Sequence, residues 1–93
     1  MPKFLVIHKP FPKPMNLEQA TPLLKRGASS MTAEAYWIAT WVQLNAEGKA
    51  VNAWCRWDAT SAEAVRKALA KLLPEFPVEA VYPLMTLDSG DFR

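Results

Sequence analysis

One cysteine, Cys55, and one histidine, His8, are all that this 93-residue sequence holds of two side-chain types central to metal binding and nucleophilic or acid-base chemistry. A lone cysteine excludes an internal disulfide framework. One histidine plus one cysteine is fewer donors than a closed metal site needs within one chain. No G-x-S-x-G, P-loop, G-x-G-x-x-G or H-E-x-x-H pattern is present, so no standard hydrolase, nucleotide or zinc-protease signature can be built on it. Charge of one sign is also missing. The net charge is +2 and the basic residues are scattered, without the stripe that nucleic acid or an acidic bilayer would require. The apolar run Phe4-Leu5-Val6-Ile7 is too short for a secretory core or a membrane span, so the expected location is cytoplasmic, with neither nucleic acid nor membrane as partner.

What is there is globular. Apolar residues make up 51% of the chain, four of them Trp and eight other positions Pro. A single domain over 1–93 is expected, with a core too small to bury every Trp centrally. Phe4 to His8 reads as a buried first strand, stopped by the stiff segment Lys9-Pro10-Phe11-Pro12-Lys13-Pro14. Asn16 with Gln19 forms a capping box ahead of the stripe Leu17, Ala20, Leu24, Ala28. Pro22 either kinks that helix or opens a second start with Thr21 as cap. Tyr36–Asn45 and Ala50–Asp58 are strands joined by the turn Ala46-Glu47-Gly48-Lys49. Thr60 to Glu63 is a second capping box, followed by the stripe Ala62, Val65, Leu69, Leu72, Leu73 and the stop at Pro74. Val78–Leu84 is the last strand, with Pro83 suited to an edge, and Thr86–Arg93 is a polar tail. The order βαββαβ and right-handed crossovers give an α+β sandwich: a four-stranded antiparallel sheet with two helices on one face.

A turn centred on Glu47-Gly48 sets Trp41 opposite Trp54, Thr40 opposite Cys55 and Ala39 opposite Arg56. By strict alternation the helix-facing side then carries Tyr36, Ile38, Thr40, Val42, Leu44, Val51, Ala53, Cys55 and Trp57. The other side carries Trp37, Trp41, Trp54 and Arg56 with Gln43, Asn52 and Asp58. Trp and Arg mixed with amides suit a protein interface, so these four residues are the expected contacts of a homodimer formed through the sheet. A slip of one residue would exchange the faces. His8, Tyr36, Cys55 and Trp57 are the candidate lining of a pocket between sheet and helices, for a small apolar or aromatic molecule. Cys55 is expected to be buried, with its thiol pKa at or above the free value and Thr40 as its one evident neighbour.

Phe4-Leu5-Val6-Ile7-His8, the strand ending Ala53-Trp54-Cys55, and the run Asp58-Ala59-Thr60-Ser61-Ala62-Glu63-Ala64-Val65 resemble a family of small bacterial nickel-binding proteins, long treated as a domain of unknown function. The resemblance implies a ferredoxin-like fold of the dimeric α+β barrel type, with His8 as a ligand of nickel or another transition metal. The family's second histidine, near the start of the second strand, corresponds to Tyr36 here, and the second helix contains no His. Three functions are therefore expected to compete. One is a homodimeric ligand- or metal-binding protein. The second is a small cofactor-independent enzyme of the monooxygenase or isomerase kind, using His8 or Tyr36 for proton transfer. The third is a structural or partner-binding module whose contact is the Trp face.

Overall fold

A computed structural model describes residues 1–93. The elements run β1 (Lys3–His8), α1 (Leu17–Ser29), β2 (Ala35–Leu44), β3 (Ala50–Ala59), α2 (Ala62–Leu69), a 3₁₀ turn Ala70–Leu72, β4 (Val78–Leu84) and a closing 3₁₀ turn Ser89–Phe92. The sheet order is β2-β3-β1-β4 and every neighbouring pair is antiparallel. This is the ferredoxin-like α+β fold that the element order implies, and β4, which holds Pro83, is an edge strand as expected.

Strand alternation divides β1 cleanly. Phe4, Val6 and His8 are buried under the helices, while Leu5 and Ile7 face the other way, half-exposed. Opposite them β3 buries Ala53, Cys55, Trp57 and Ala59. α2 completes this core with Val65, Ala68 and Leu69, and Leu72 and Phe76 follow directly. The cap of α2 is Ser61, whose hydroxyl accepts from the Ala64 N–H at 3.1 Å. It is not the Thr60 that the sequence pattern points to; Thr60 instead donates its N–H to the Glu34 carbonyl.

α1 is one continuous helix. Both arms of the Asn16–Gln19 capping box form, at 2.8 and 2.9 Å. Pro22 sits inside without dividing it, at the cost of one backbone donor. The only buried residue of α1 is Gly27, near its C-terminal end, and the following Ser30 is buried too. Arg26 of that end reaches Glu75 at 3.0 Å and the Leu72 carbonyl at 3.4 Å.

The hairpin differs from strict alternation in two places. Its turn puts Gly48 at φ 78°, with the Gly48 N–H donating to the Asn45 carbonyl; the Asn45 N–H donates to the Lys49 carbonyl, which closes a three-residue loop over 46–48, and Leu44 pairs with Ala50. An extra residue in β3, Val51, then restores the expected pairs from Gln43–Asn52 to Ala39–Arg56. An extra residue in β2, Ile38, shifts the ladder back, so that Trp37 faces Trp57 and Tyr36 faces Asp58. Trp37 therefore joins the helix-facing side, contrary to its expected place on the open face. Tyr36 is turned out to the open face, 43% exposed, and does not face the helices. Ile38 is likewise exposed rather than covered.

The candidate functional site

Two cavities lie between the helices and the sheet. The inner one is small and filled by its own walls: Trp37, Cys55, Trp57, Leu69, Leu72 and Phe76 are among its lining. The outer one is an apolar cleft of about 200 Å³ under the N-terminal half of α1. Its walls are Leu17, Ala20, Leu23 and Leu24 from α1, Val42 and Leu44 from β2, Ala50 and Ala53 from β3, and Phe76.

The proline-rich segment closes one end of the cleft. Its prolines cannot donate; the Lys9 N–H goes to the Pro77 carbonyl (3.2 Å) and the Phe11 N–H to the Val51 carbonyl of β3 (3.0 Å), and Met15, just beyond the segment, donates to the Ala50 carbonyl (2.9 Å), which Ala50 returns at 2.7 Å. The bulge at Val51 is where this strap attaches, and it delivers the side chains of Phe11 and Met15 to the cleft. The sequence marks this segment as stiff but gives no sign of its docking.

Thr40 lies at the boundary and lines both spaces. Its hydroxyl is one member of a hydrogen-bonded row. The Trp37 Nε1–H donates to Thr40 Oγ1 at 2.9 Å, Thr40 Oγ1 lies 3.1 Å from Cys55 Sγ, and Cys55 Sγ lies 3.1 Å from His8 Nε2. In an unbroken strand residues 37 and 40 point to opposite faces; the Ile38 bulge is what brings them together. His8 is wholly buried and stacks on the Phe76 ring, centroids 3.7 Å apart and planes 14° from parallel.

Burial dominates the electrostatics of this row. It pushes the His8 pKa down from 6.5 to about 4, against a smaller upward pull from the Pro77 carbonyl. It pushes the Cys55 thiol up from 9.0 to about 11, against a smaller downward pull from the Thr40 hydroxyl. At neutral pH both groups are uncharged. A thiol–imidazole pair in that state is not an activated nucleophile, which needs the thiolate.

The distances leave the donor open at both sulfur contacts, and one tautomer of His8 gives a consistent set of donors. The indole N–H can only donate, so it occupies one lone pair of Thr40 Oγ1. On His8, Nδ1 is buried without a hydrogen-bond partner, and the backbone group that raises the ring's pKa is the Pro77 carbonyl, an acceptor. The proton therefore belongs on Nδ1 and Nε2 accepts, from the Cys55 S–H. With the His8 proton on Nδ1, Cys55 Sγ accepts from the Thr40 O–H at 3.1 Å. Donation runs one way, from Trp37 through Thr40 and Cys55 to His8.

Of the pocket residues expected from sequence, His8, Cys55 and Trp57 come together under the helices, while Tyr36 is on the opposite face. His8 and Cys55 make contact, which the sequence could not show, because their meeting depends on the pairing of β1 with β3. Neither borders the outer cleft. As a metal centre the pair does not fit. Ligands of one tetrahedral ion, at roughly 2.0 and 2.3 Å from it, stand about 3.5 Å apart and are joined by at least one further donor. Here the two atoms are at hydrogen-bond distance, and no cluster of three or more His, Cys, Asp or Glu side chains exists.

The open face of the sheet gathers Trp41, Trp54 and Arg56, with Leu5, Ile7, Tyr36 and Tyr82 beside them by register. Trp41 and Tyr82 are each 54% exposed. Arg56 pairs with Asp58 at 3.3 Å within this face. Both helices lie on the other side, so no element of the chain covers it. No helix is long and apolar enough to cross a membrane.

No family model matches the chain, and comparison with curated proteins finds no match either. Among solved structures, that of SCO4226 from Streptomyces coelicolor A3(2) superposes with a TM-score of 0.72, covering 92% of this chain and 99% of the other at 11% sequence identity. At that identity the likeness establishes a shared ferredoxin-like fold.

Proposed function

We propose that the protein is a small homodimeric binding protein whose ligand is a small apolar molecule seated in the cleft beneath α1. The observation that carries this reading is the cleft itself. Eleven of its fourteen lining residues are hydrophobic, and it opens where a helix with an apolar stripe stands away from the sheet. An apolar space with few polar groups is the usual form of a small-molecule site. A cavity of roughly 150 Å³ holds a benzene-sized molecule, so this cleft suits a single ring or its aliphatic equivalent. The groups that the sequence offers for proton transfer lie elsewhere, His8 sealed in the core and Tyr36 on the open face, which favours binding over catalysis. The nickel function implied by the family resemblance is left out of the proposal, because His8 has a thiol as its one candidate co-ligand.

Dimerisation belongs to the same reading. Monomers rarely expose an apolar patch as continuous as Trp41, Trp54, Leu5, Ile7 and Tyr82, and a second copy meeting it face to face would cover it. Toluene titrated into methyl-labelled protein should give saturable NMR shifts at Leu24, Val42 and Leu44 while Val65 and Leu69 stay still. Shifts that never saturate, or that centre on the Trp41 face, would sink the cleft reading. Sedimentation equilibrium should give a dimer at micromolar concentration and a monomer for Trp41→Glu; a monomeric parent chain refutes the interface.

A further inference from the structure

The cleft has two polar side chains in its lining. Besides its eleven hydrophobic residues the lining contains Gly48, Asn16 and Thr40. Asn16 is the exposed cap of α1, and its side-chain oxygen is occupied by the Gln19 N–H. Its amide NH2 belongs to that exposed rim, and Thr40 is the polar side chain of the more buried wall.

The hydrogen-bonded row determines what that atom offers. A hydroxyl has one proton and two lone pairs. One lone pair receives the Trp37 indole N–H. With His8 protonated on Nδ1, Cys55 gives its own proton to His8 and the Thr40 proton is directed to Cys55 Sγ. One lone pair is left for the cleft. Thr40 therefore presents an acceptor to a ligand and no donor.

We propose that the ligand is a small monohydroxylated apolar molecule, a one-ring phenol or an alcohol of about six to ten non-hydrogen atoms, whose hydroxyl donates to Thr40 Oγ1. This rests on the binding role proposed for the cleft and adds its selectivity. A ketone or ether of the same shape brings only acceptors, which would meet a lone pair and lose their water without replacement. A diol or an acid brings polar atoms that the apolar walls of α1 and β2 cannot satisfy.

The test is a matched series, p-cresol, 4-methylanisole and toluene, titrated into the full-length protein by calorimetry or methyl NMR. p-Cresol should bind about tenfold more tightly than either analogue, the scale of one buried hydrogen bond. Thr40→Val should erase the preference while toluene still binds, and Thr40→Ser, which keeps the hydroxyl, should retain it. Equal affinity for all three compounds in the parent protein overturns the inference and leaves the cleft as a plain apolar site. Tighter binding of the ether overturns it too, by showing that the Thr40 proton points into the cleft. Binding of none of the three refutes the cleft reading itself, and the inference with it. Should Thr40→Val fail to fold, the ranking in the parent protein and in Thr40→Ser still decides.

Discussion

The two helices lie on the same face of the same sheet and are used differently. α2 commits its apolar stripe to the core, burying Val65, Ala68 and Leu69. α1 also has an apolar stripe, less pronounced, yet buries only Gly27, and Leu17 at its other end is 75% exposed. The difference is geometric. α1 is anchored at its C-terminal end, where Gly27 sits beside Leu72 and Arg26 reaches Glu75, and stands away from the sheet toward its N-terminus. Phe11 and Met15, fixed on β3 by the strap of the proline-rich segment, line the cleft beside that end. A stripe packed against the sheet contributes stability; a stripe held off it lines a cleft.

Paired substitutions break this comparison most directly. Leu69→Ala removes a side chain only 2% exposed from a packed layer and should cost about 2–5 kcal/mol in denaturant unfolding. Leu24→Ala, the corresponding truncation on α1, widens a space that already exists and should cost at most about 1 kcal/mol. Enlargement should reverse the order. Ala20→Leu projects into the cleft and should stabilise by up to about 1 kcal/mol while displacing toluene. Ala68→Leu, at a position 3% exposed, should overpack the core and cost about 1–3 kcal/mol. Equal costs for the two truncations would show that α1 closes onto the sheet in solution.

Acid separates the two regions in another way, because the buried titratable base belongs to the packed one. His8 has a folded-state pKa of about 4 against 6.5 for the free side chain. The unfolded chain therefore binds the proton first, and stability falls as pH drops below 6.5 toward 4. The loss over that window should be about 3 kcal/mol. Cys55, raised to about 11 from 9.0, works in the opposite sense, and stability should fall as pH climbs from 9 to 11. Unfolding midpoints measured across pH should thus form a plateau between about 6.5 and 9. In His8→Phe the acid limb attributable to this group should vanish, whereas an unchanged limb would place the titration elsewhere.

How far the sequence foretells this arrangement follows from the range of each signal. The strands, both helices, the Asn16 capping box and the central hairpin pairs depend on neighbours a few residues apart, and all are legible. The exchange of Tyr36 and Trp37 was hidden because alternation has no means of announcing an extra residue at Ile38. In retrospect a Trp and a Thr three apart are a weak hint, since a buried indole needs an acceptor and Thr40 supplies it. Periodicity identified the apolar side of α1 but not its distance from the sheet, which is determined by packing at a strap whose docking is non-local. The contact of His8 with Cys55 likewise needed the β1–β3 pairing, which couples residues far apart in the chain.

The finest distinction is expected between two substitutions at Cys55, and it tests whether the row at the boundary of core and cleft is a working set of hydrogen bonds. With Thr40 as sole neighbour, a serine at this position would be worse than an alanine, a hydroxyl in an apolar site with one partner. The structure reverses that order. Cys55 Sγ lies 3.1 Å from both Thr40 Oγ1 and His8 Nε2, so it has two polar partners, and with His8 protonated on Nδ1 it accepts from the first and donates to the second. Cys55→Ala takes away the donor to a buried imidazole nitrogen and should cost about 1–3 kcal/mol. Cys55→Ser keeps a donor and an acceptor at slightly longer reach and should cost less, about 1 kcal/mol or below. Nitrogen NMR of His8 provides the second reading. Nε2 should carry no proton in the parent and in Cys55→Ser, and Cys55→Ala should loosen the choice of tautomer. If alanine proves the milder substitution, Cys55 is a plain apolar filler, the direction of donation through Thr40 is lost, and the cleft no longer has a reason to prefer a hydroxyl.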